Sequence, residues 1–272
     1  MTSAGAKRKI MLVTGASGGI GADLARLAAT RGHDLALVAR NRAALDALAD
    51  EIAAKSAAGP SQANARPLVH DCDLAKPGSV AGLKDFLAAA NAAPDIVVNN
   101  AGYGVLGGAV DGDIDEQLGM IDLNIRALTE ISLAFAAPLI EAEGRLLNVA
   151  SVAAFMPGPG MAVYYASKAY VLSFSEALSA ELAPLGVSVT ALCPGPVPTG
   201  FQQRARFSGK MDWMKFTAMS SPEVALIGYE GMMARKRTVL PGVATKFTAW
   251  SSRFTPKSVS LALVSALQMR RT

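Results

Sequence analysis

Short apolar runs bounded by Gly, Asn or Asp alternate along this chain with longer Ala- and Leu-rich segments that carry charges on one face. The runs at 9–14, 34–39, 66–71, 95–99, 145–150, 188–193 and 237–240 predict strands. The segments at 19–31, 42–57, 78–91, 113–141, 163–185 and 222–234 predict helices. Nearly every strand lacks polar alternation, so both of its faces must be covered, as in a parallel sheet wrapped by helices. Repeated strand–helix alternation predicts an α/β fold with an open, doubly wound sheet. No linker or long charge run divides the chain, so 1–272 reads as one domain. Two stretches fall outside the alternation: 201–220, rich in Phe, Met and Trp, and the tail 242–272, whose last part has a helical apolar spacing.

Composition narrows the class. The chain is 51% hydrophobic and 18% charged, which excludes disorder. A mean hydropathy of +0.30 raises the question of membranes. A spanning helix needs roughly 20 apolar residues in a row, and the best run, 259–267, is about half that. The polar start at 1–8 offers no leader peptide, so a soluble, cytoplasmic chain is expected. Two Cys (Cys72, Cys193) and two His (His33, His70) supply neither a disulfide scaffold nor a zinc site, so no metal is expected. The net charge of +4 is too mild to suggest nucleic acid.

Chemistry enters after the first strand, where Thr14-Gly15-Ala16-Ser17-Gly18-Gly19-Ile20-Gly21 opens into a helix. Glycines permit a tight turn and a close approach to a pyrophosphate, and the helix start offers free N–H groups. Within a βαβ unit this reads as a dinucleotide site. The second strand ends in Arg40-Asn41-Arg42, with no acid for a ribose 2′-hydroxyl. Arg40 or Arg42 can instead fork onto a 2′-phosphate, which favours NADP(H) over NAD. The alternative makes both solvated charges of the next helix.

Tyr164 and Lys168 stand four apart and share a helix face. A Tyr beside an ammonium can serve as general acid or base on a carbonyl or alcohol oxygen. Alone, such a pair is an ordinary surface feature. Here Ser151 ends the fifth strand on the edge where open sheets bind ligands, Asn99-Asn100-Ala101-Gly102 ends the fourth, and Asn124 interrupts an apolar helix.

Together these motifs resemble the short-chain dehydrogenase/reductase family, in order, from about Arg8 to Thr199. The resemblance implies a Rossmann-like sheet of seven strands. It implies that Gly15, Ser17, Gly19, Ile20 and Gly21 line the cofactor phosphates and ribose, that Asp73 holds the adenine amino group, and that Asn100, Ala101 and Gly102 pass over the adenosine side. Asn124, Ser151, Tyr164 and Lys168 match the catalytic four. Tyr164 then exchanges a proton with the substrate oxygen, Ser151 hydrogen-bonds that oxygen, Lys168 holds the nicotinamide ribose and lowers the Tyr pKa, and Asn124 anchors a relay water. Pro194, Gly195, Val197 and Thr199 match the segment that holds the carboxamide. The chain departs from the pattern at Asp73-Leu74, which lacks a second acid, and at Pro196 and Pro198, which stiffen the last turn.

The expected activity is hydride transfer between NADP(H) and a carbonyl or alcohol. Phe155, Met156 and the 201–220 stretch suggest an apolar pocket for a 3-oxoacyl thioester, a steroid-like ketone or an aromatic ketone. Arg204, Arg206, Lys210 and Lys215 in that stretch suit an anionic carrier or are simply solvated. A non-catalytic NADP-binding sensor on the same fold is the alternative, though a sensor needs only the glycine loop. An epimerase or dehydratase of the family would need a longer substrate domain. A homodimer or homotetramer is expected through the helix that carries Tyr164. The tail resembles extended C-termini of reductases of lipid-like substrates. Its helix is expected to pack on the domain or a partner subunit, with a membrane surface as the alternative.

Overall fold

The computed structural model describes residues 7–57, 65–198, 200 and 218–268. Its centre is a seven-stranded sheet, all parallel, in the order β3-β2-β1-β4-β5-β6-β7. The strands are β1 (Arg8–Thr14), β2 (Leu35–Ala39), β3 (Leu68–Asp71), β4 (Ala92–Asn99), β5 (Arg145–Val149), β6 (Ser188–Leu192) and β7 (Thr238–Val239). Each expected strand is present within three residues at either end.

Side-chain alternation splits the core into two layers. Met11 and Val13 of β1 point to one face, Ile10 and Leu12 to the other. The first face is covered by α1 (Gly19–Thr30), α2 (Arg42–Ala57) and α8 (Ser221–Met233), through Leu24, Leu45 and Val224. The second is covered by α3 (Ser79–Ala89), α5 (Leu128–Ala134), α6 (Ala136–Glu141) and α7 (Ala162–Leu182), through Leu83, Ile131, Leu139 and Leu178. Two buried faces explain the unbroken apolar strands.

The expected helix over 113–141 is a chain of pieces. Asp113 caps α4 (Ile114–Ile121), accepting from Asp115 N and Glu116 N. The ladder then widens to a π-turn over Asp122–Ala127, and α5 and α6 part at Phe135, three residues before Pro138. The tail forms α9 (Val243–Ser251), which the apolar spacing did not predict, and α10 (Lys257–Gln268). Among the described residues, no helix is long and apolar enough to cross a membrane.

Candidate active site

The strand order reverses between β1 and β4, and ligands of open α/β sheets bind at the carboxyl ends flanking such a point. A cavity of about 750 Å³ lies along that edge. It runs from Asp73 after β3 to Pro194 after β6.

Its floor is tied together at Thr14. The Thr14 Oγ1 donates to Val98 O (3.1 Å) and accepts from the backbone N–H of Asn100 (3.0 Å) and Ala101 (3.1 Å). In return the Asn100 amide donates to Thr14 O and Gly15 O. This lattice explains two of the loop glycines. Gly15 has a φ of +66°, and a Cβ there would sit 2.7 Å from Asn100 Nδ2. A Cβ on Gly21 would collide with the same amide. Gly18, Gly19 and Ile20 line the cavity, and Gly18 gives α1 no side-chain cap. The first N–H groups of α1 are therefore available to an anion.

The two arginines after β2 separate cleanly. Arg42 is engaged by Asp46 (2.7 Å) and Asp71 (3.0 Å). Arg40 is exposed, lines the cavity and has no ion pair among the described residues. Asp73 lies across from it, half-buried, with one oxygen accepting from Ala75 N. Cys72 beside it also lines the cavity, and burial pushes its thiol up to about 11. Cys193 is fully buried, as a small core filler would be.

At the other end, Ser151 leaves β5 in an extended conformation and caps the short turn Val152–Phe155 by accepting from Ala153 N (3.1 Å). Its hydroxyl also hydrogen-bonds the Tyr164 phenol from the first turn of α7. Burial pushes that phenol up to about 12, against the opposing pull of the Ser151 bond. One turn on, Lys168 is buried, donates to Val149 O (2.8 Å) and sits 5.9 Å from the centre of the Tyr164 ring. Burial pulls its ammonium down to about 8. Burial thus dominates both groups, raising the phenol and lowering the ammonium.

Asn124 occupies the π-turn, fully buried. Its Nδ2 donates to Tyr103 O (2.9 Å) and Ser167 Oγ (3.0 Å), and its Oδ1 accepts from Tyr103 N (3.1 Å). Both amide hydrogens are thus used on the protein. A Cβ on Gly102 would sit 2.9 Å from Asn124 Oδ1 and 3.4 Å from Lys168 Nζ. Gly102 is what lets the loop after β4 pass over both groups.

The sequence matches the short chain dehydrogenase family over residues 9–208. The chain belongs to that family. A Streptomyces virginiae protein named as a candidate ketoacyl reductase of monensin polyketide synthase is 36% identical over 73% of this chain and 74% of its own. A Sphingobium yanoikuyae short-chain dehydrogenase, solved in complex with NADPH, is 32% identical (TM-score 0.78; 90% and 93% of the two chains). A bulky-bulky ketone specific alcohol dehydrogenase from Comamonas testosteroni is 28% identical (TM-score 0.73; 92% of each chain). Matching solved structures include complexes with NADPH and with NAD.

In this short-chain dehydrogenase the described residues expected at the cofactor and substrate line the cavity, except Gly21, Arg42, Asn124, Phe155 and Met219 of the 201–220 stretch. Gly21 lies just behind the loop, Asn124 beneath Gly102, and Phe155 packs away from the cavity against the cluster of Leu128, Ala150 and Val171. Thr199 lies outside the described residues, as does 201–217 of the expected substrate loop with its Arg204, Arg206, Lys210 and Lys215. Met156, Pro194, Gly195 and Val197 are in the wall. So are groups that motif reading passed over: Ala244, Thr245 and Thr248 of α9, and Val264 and Gln268 of α10. Thr245 seats its hydroxyl where a Cβ on Gly195 would be. Gln268 donates to the Tyr165 hydroxyl (2.6 Å), and the Tyr165 ring fills the space a Cβ on Gly158 would need. That network gives Tyr165, the rival of Tyr164, a structural occupation.

Proposed function

We propose that this oxidoreductase uses NADP(H) to reduce the carbonyl of an apolar ketone, or to oxidise the matching alcohol. The observation that carries the reading is the convergence of Ser151, Tyr164 and Lys168 on one end of a cavity whose other end is a glycine loop. The nicotinamide supplies or accepts the hydride. Tyr164 gives its proton to the developing alkoxide, and Ser151 holds that oxygen in place. A phenol that burial raises to about 12 stays protonated throughout the neutral range, so it is poised there as the proton donor of the reductive direction. Lys168 holds the nicotinamide ribose. Asn124 positions Tyr103, Gly102 and Ser167 around Lys168, and any relay water it supports must use the backbone of the π-turn or the remaining Oδ1 lone pair. The N-terminus of α1 with Ser17, Gly19 and Ile20 takes the pyrophosphate, Asp73 the adenine, and Pro194, Gly195 and Val197 the carboxamide, with Thr199 completing that segment. A sensor would have no use for the Ser151–Tyr164 bond. Turnover of 3-oxoacyl thioesters, steroid-like ketones and aromatic ketones with NADPH, followed by absorbance, tests the reading and ranks the substrates.

Arg40 is assigned to the cofactor 2′-phosphate, because Arg42 is already neutralised. A charge-assisted bond of this kind contributes about 1.5–3 kcal/mol. Arg40→Ala is expected to lower kcat/KM for NADPH by about 10- to 100-fold and to leave NADH within about threefold. A wild-type preference for NADH would overturn the assignment.

Tyr170 is exposed on α7, the helix through which an oligomer is expected, and Leu118 of α4 and Leu133 of α5 are exposed as well. Tyr170 stacks on Phe174 at 5.7 Å. These faces support a homodimer or homotetramer. Light scattering is expected to return a multiple of 28.1 kDa; a monomer mass sinks this part of the proposal.

A further inference from the structure

The tail helices have two faces with different uses. One face of α9, at Ala244, Thr245 and Thr248, lines the cavity. The opposite face carries Val243, Phe247 and Trp250, and Phe254 continues it in the turn that follows. At spacings of four, three and four these fall in one stripe. The rings confirm it: Phe247 lies 6.2 Å from Trp250, and Trp250 lies 5.3 Å from Phe254. Their exposures are 83% for Val243, 64% for Phe247, 61% for Trp250 and 71% for Phe254, so among the described residues the stripe is left largely uncovered. Val259, Leu261 and Leu263 of α10 are exposed as well, while Val264 turns inward to the cavity. Water-facing aromatic stripes of this kind mark interaction surfaces.

Charge decides what covers it. From Gly242 to Thr272 there is no Asp or Glu, and there are five basic residues: Lys246, Arg253, Lys257, Arg270 and Arg271. The whole chain nets only +4, so the tail carries all of its excess. Lys246, Arg253 and Lys257 are exposed, and none is ion-paired among the described residues. A second copy docking here in a two-fold dimer would set two all-basic, acid-free faces against each other. An anionic lipid surface has the opposite charge and accepts Trp and Phe at its headgroup level.

We propose that α9 and α10 dock the protein on anionic membranes by the Val243–Phe254 stripe. The same two helices wall the cavity on their inner side, so docking brings its mouth to the bilayer, from which apolar substrates can enter. Docking itself needs no turnover and is tested apart from the enzymatic reading.

The test is co-sedimentation of the full chain with vesicles of zwitterionic phosphatidylcholine, alone or mixed with phosphatidylserine. Binding is expected to the mixed vesicles, with a blue shift of Trp emission, and to weaken with salt. Neutralising Lys246, Arg253 and Lys257 to Gln is expected to weaken binding about a hundredfold, about fivefold per charge. Phe247→Ser/Trp250→Ser/Phe254→Ser should abolish binding while leaving the melting temperature and NADPH affinity of the protein in water unchanged. Absence of binding to the mixed vesicles overturns the proposal. So does binding that survives the triple Ser change, or a lipid-free oligomer that this change dissociates, which would make the stripe a protein contact.

Discussion

Tyr164→Phe is expected to lower kcat for ketone reduction by about a thousandfold or more while cofactor affinity stays within about twofold. The removed atom is the one proton donor that the proposed reading places at the substrate oxygen, and general acid catalysis contributes about 10²- to 10⁴-fold. The ring remains, so Lys168 keeps the aromatic face it lies beside and its bond to Val149 O. Ser151 loses a partner but keeps Ala153 N. Ser151→Ala should cost about 10²- to 10³-fold, because the oxygen is then protonated but less well held. Tyr165→Phe separates the two tyrosines: it removes the hydroxyl that accepts from Gln268 and is expected to retain at least about a tenth of the turnover. Substantial turnover by Tyr164→Phe, together with an inactive Tyr165→Phe, would exchange their roles. Single-turnover absorbance and NADPH fluorescence titration provide the two readouts.

How much of this was legible before folding differs from element to element. The strands were readable because each is buried on both faces, and burial on both faces writes a continuous apolar run. Helix α2 was found residue for residue at Arg42–Ala57, since Asn41 caps its start at Ala44 N and its apolar period is unbroken. The break in 113–141 was half legible. Asn124 signalled a disturbance, but its answer, a π-turn that lets the side chain grip Tyr103, depends on a loop 21 residues upstream. The Tyr164 and Lys168 positions were readable from spacing, whereas their ionisation was not: pattern reports that an ammonium is near, and only burial decides which group gives way. The loop glycines illustrate the same limit. Gly15 and Gly21 were expected to make room for a pyrophosphate, and the structure shows both making room for Asn100. The tail was the least legible. Periodicity shows that α10 has an apolar side but not that Val264 and Gln268 line the cavity or that Gln268 reaches Tyr165, 103 residues earlier.

Lys168→Met is the second large effect, and it runs in opposite directions for activity and stability. Lys168 is 5% exposed, and burial pulls its ammonium from 10.5 down to about 8. The folded chain thus holds fewer protons than the unfolded one between about pH 8 and 10.5, so stability rises with pH through that window. Below pH 8 the cost of burying the cation is present in full, about 3 kcal/mol by the same linkage. A Met of similar length removes that cost and gives up one hydrogen bond to Val149 O, about 1 kcal/mol. The variant should therefore melt at the same temperature as wild type or higher at pH 7, and the rise in stability from pH 8 to 10.5 should vanish. Activity should fall at least about a hundredfold, with weakened NADPH binding, which Tyr164→Phe does not show. In wild type, kcat/KM for NADPH reads the free enzyme and should be flat near neutrality and fall above about pH 8 as Lys168 loses its proton. In Lys168→Met that fall should be absent. Calorimetry against pH decides the stability half, and a variant markedly less stable than wild type at pH 7 would mean that Lys168 is held there as a structural cation rather than kept at a cost for catalysis.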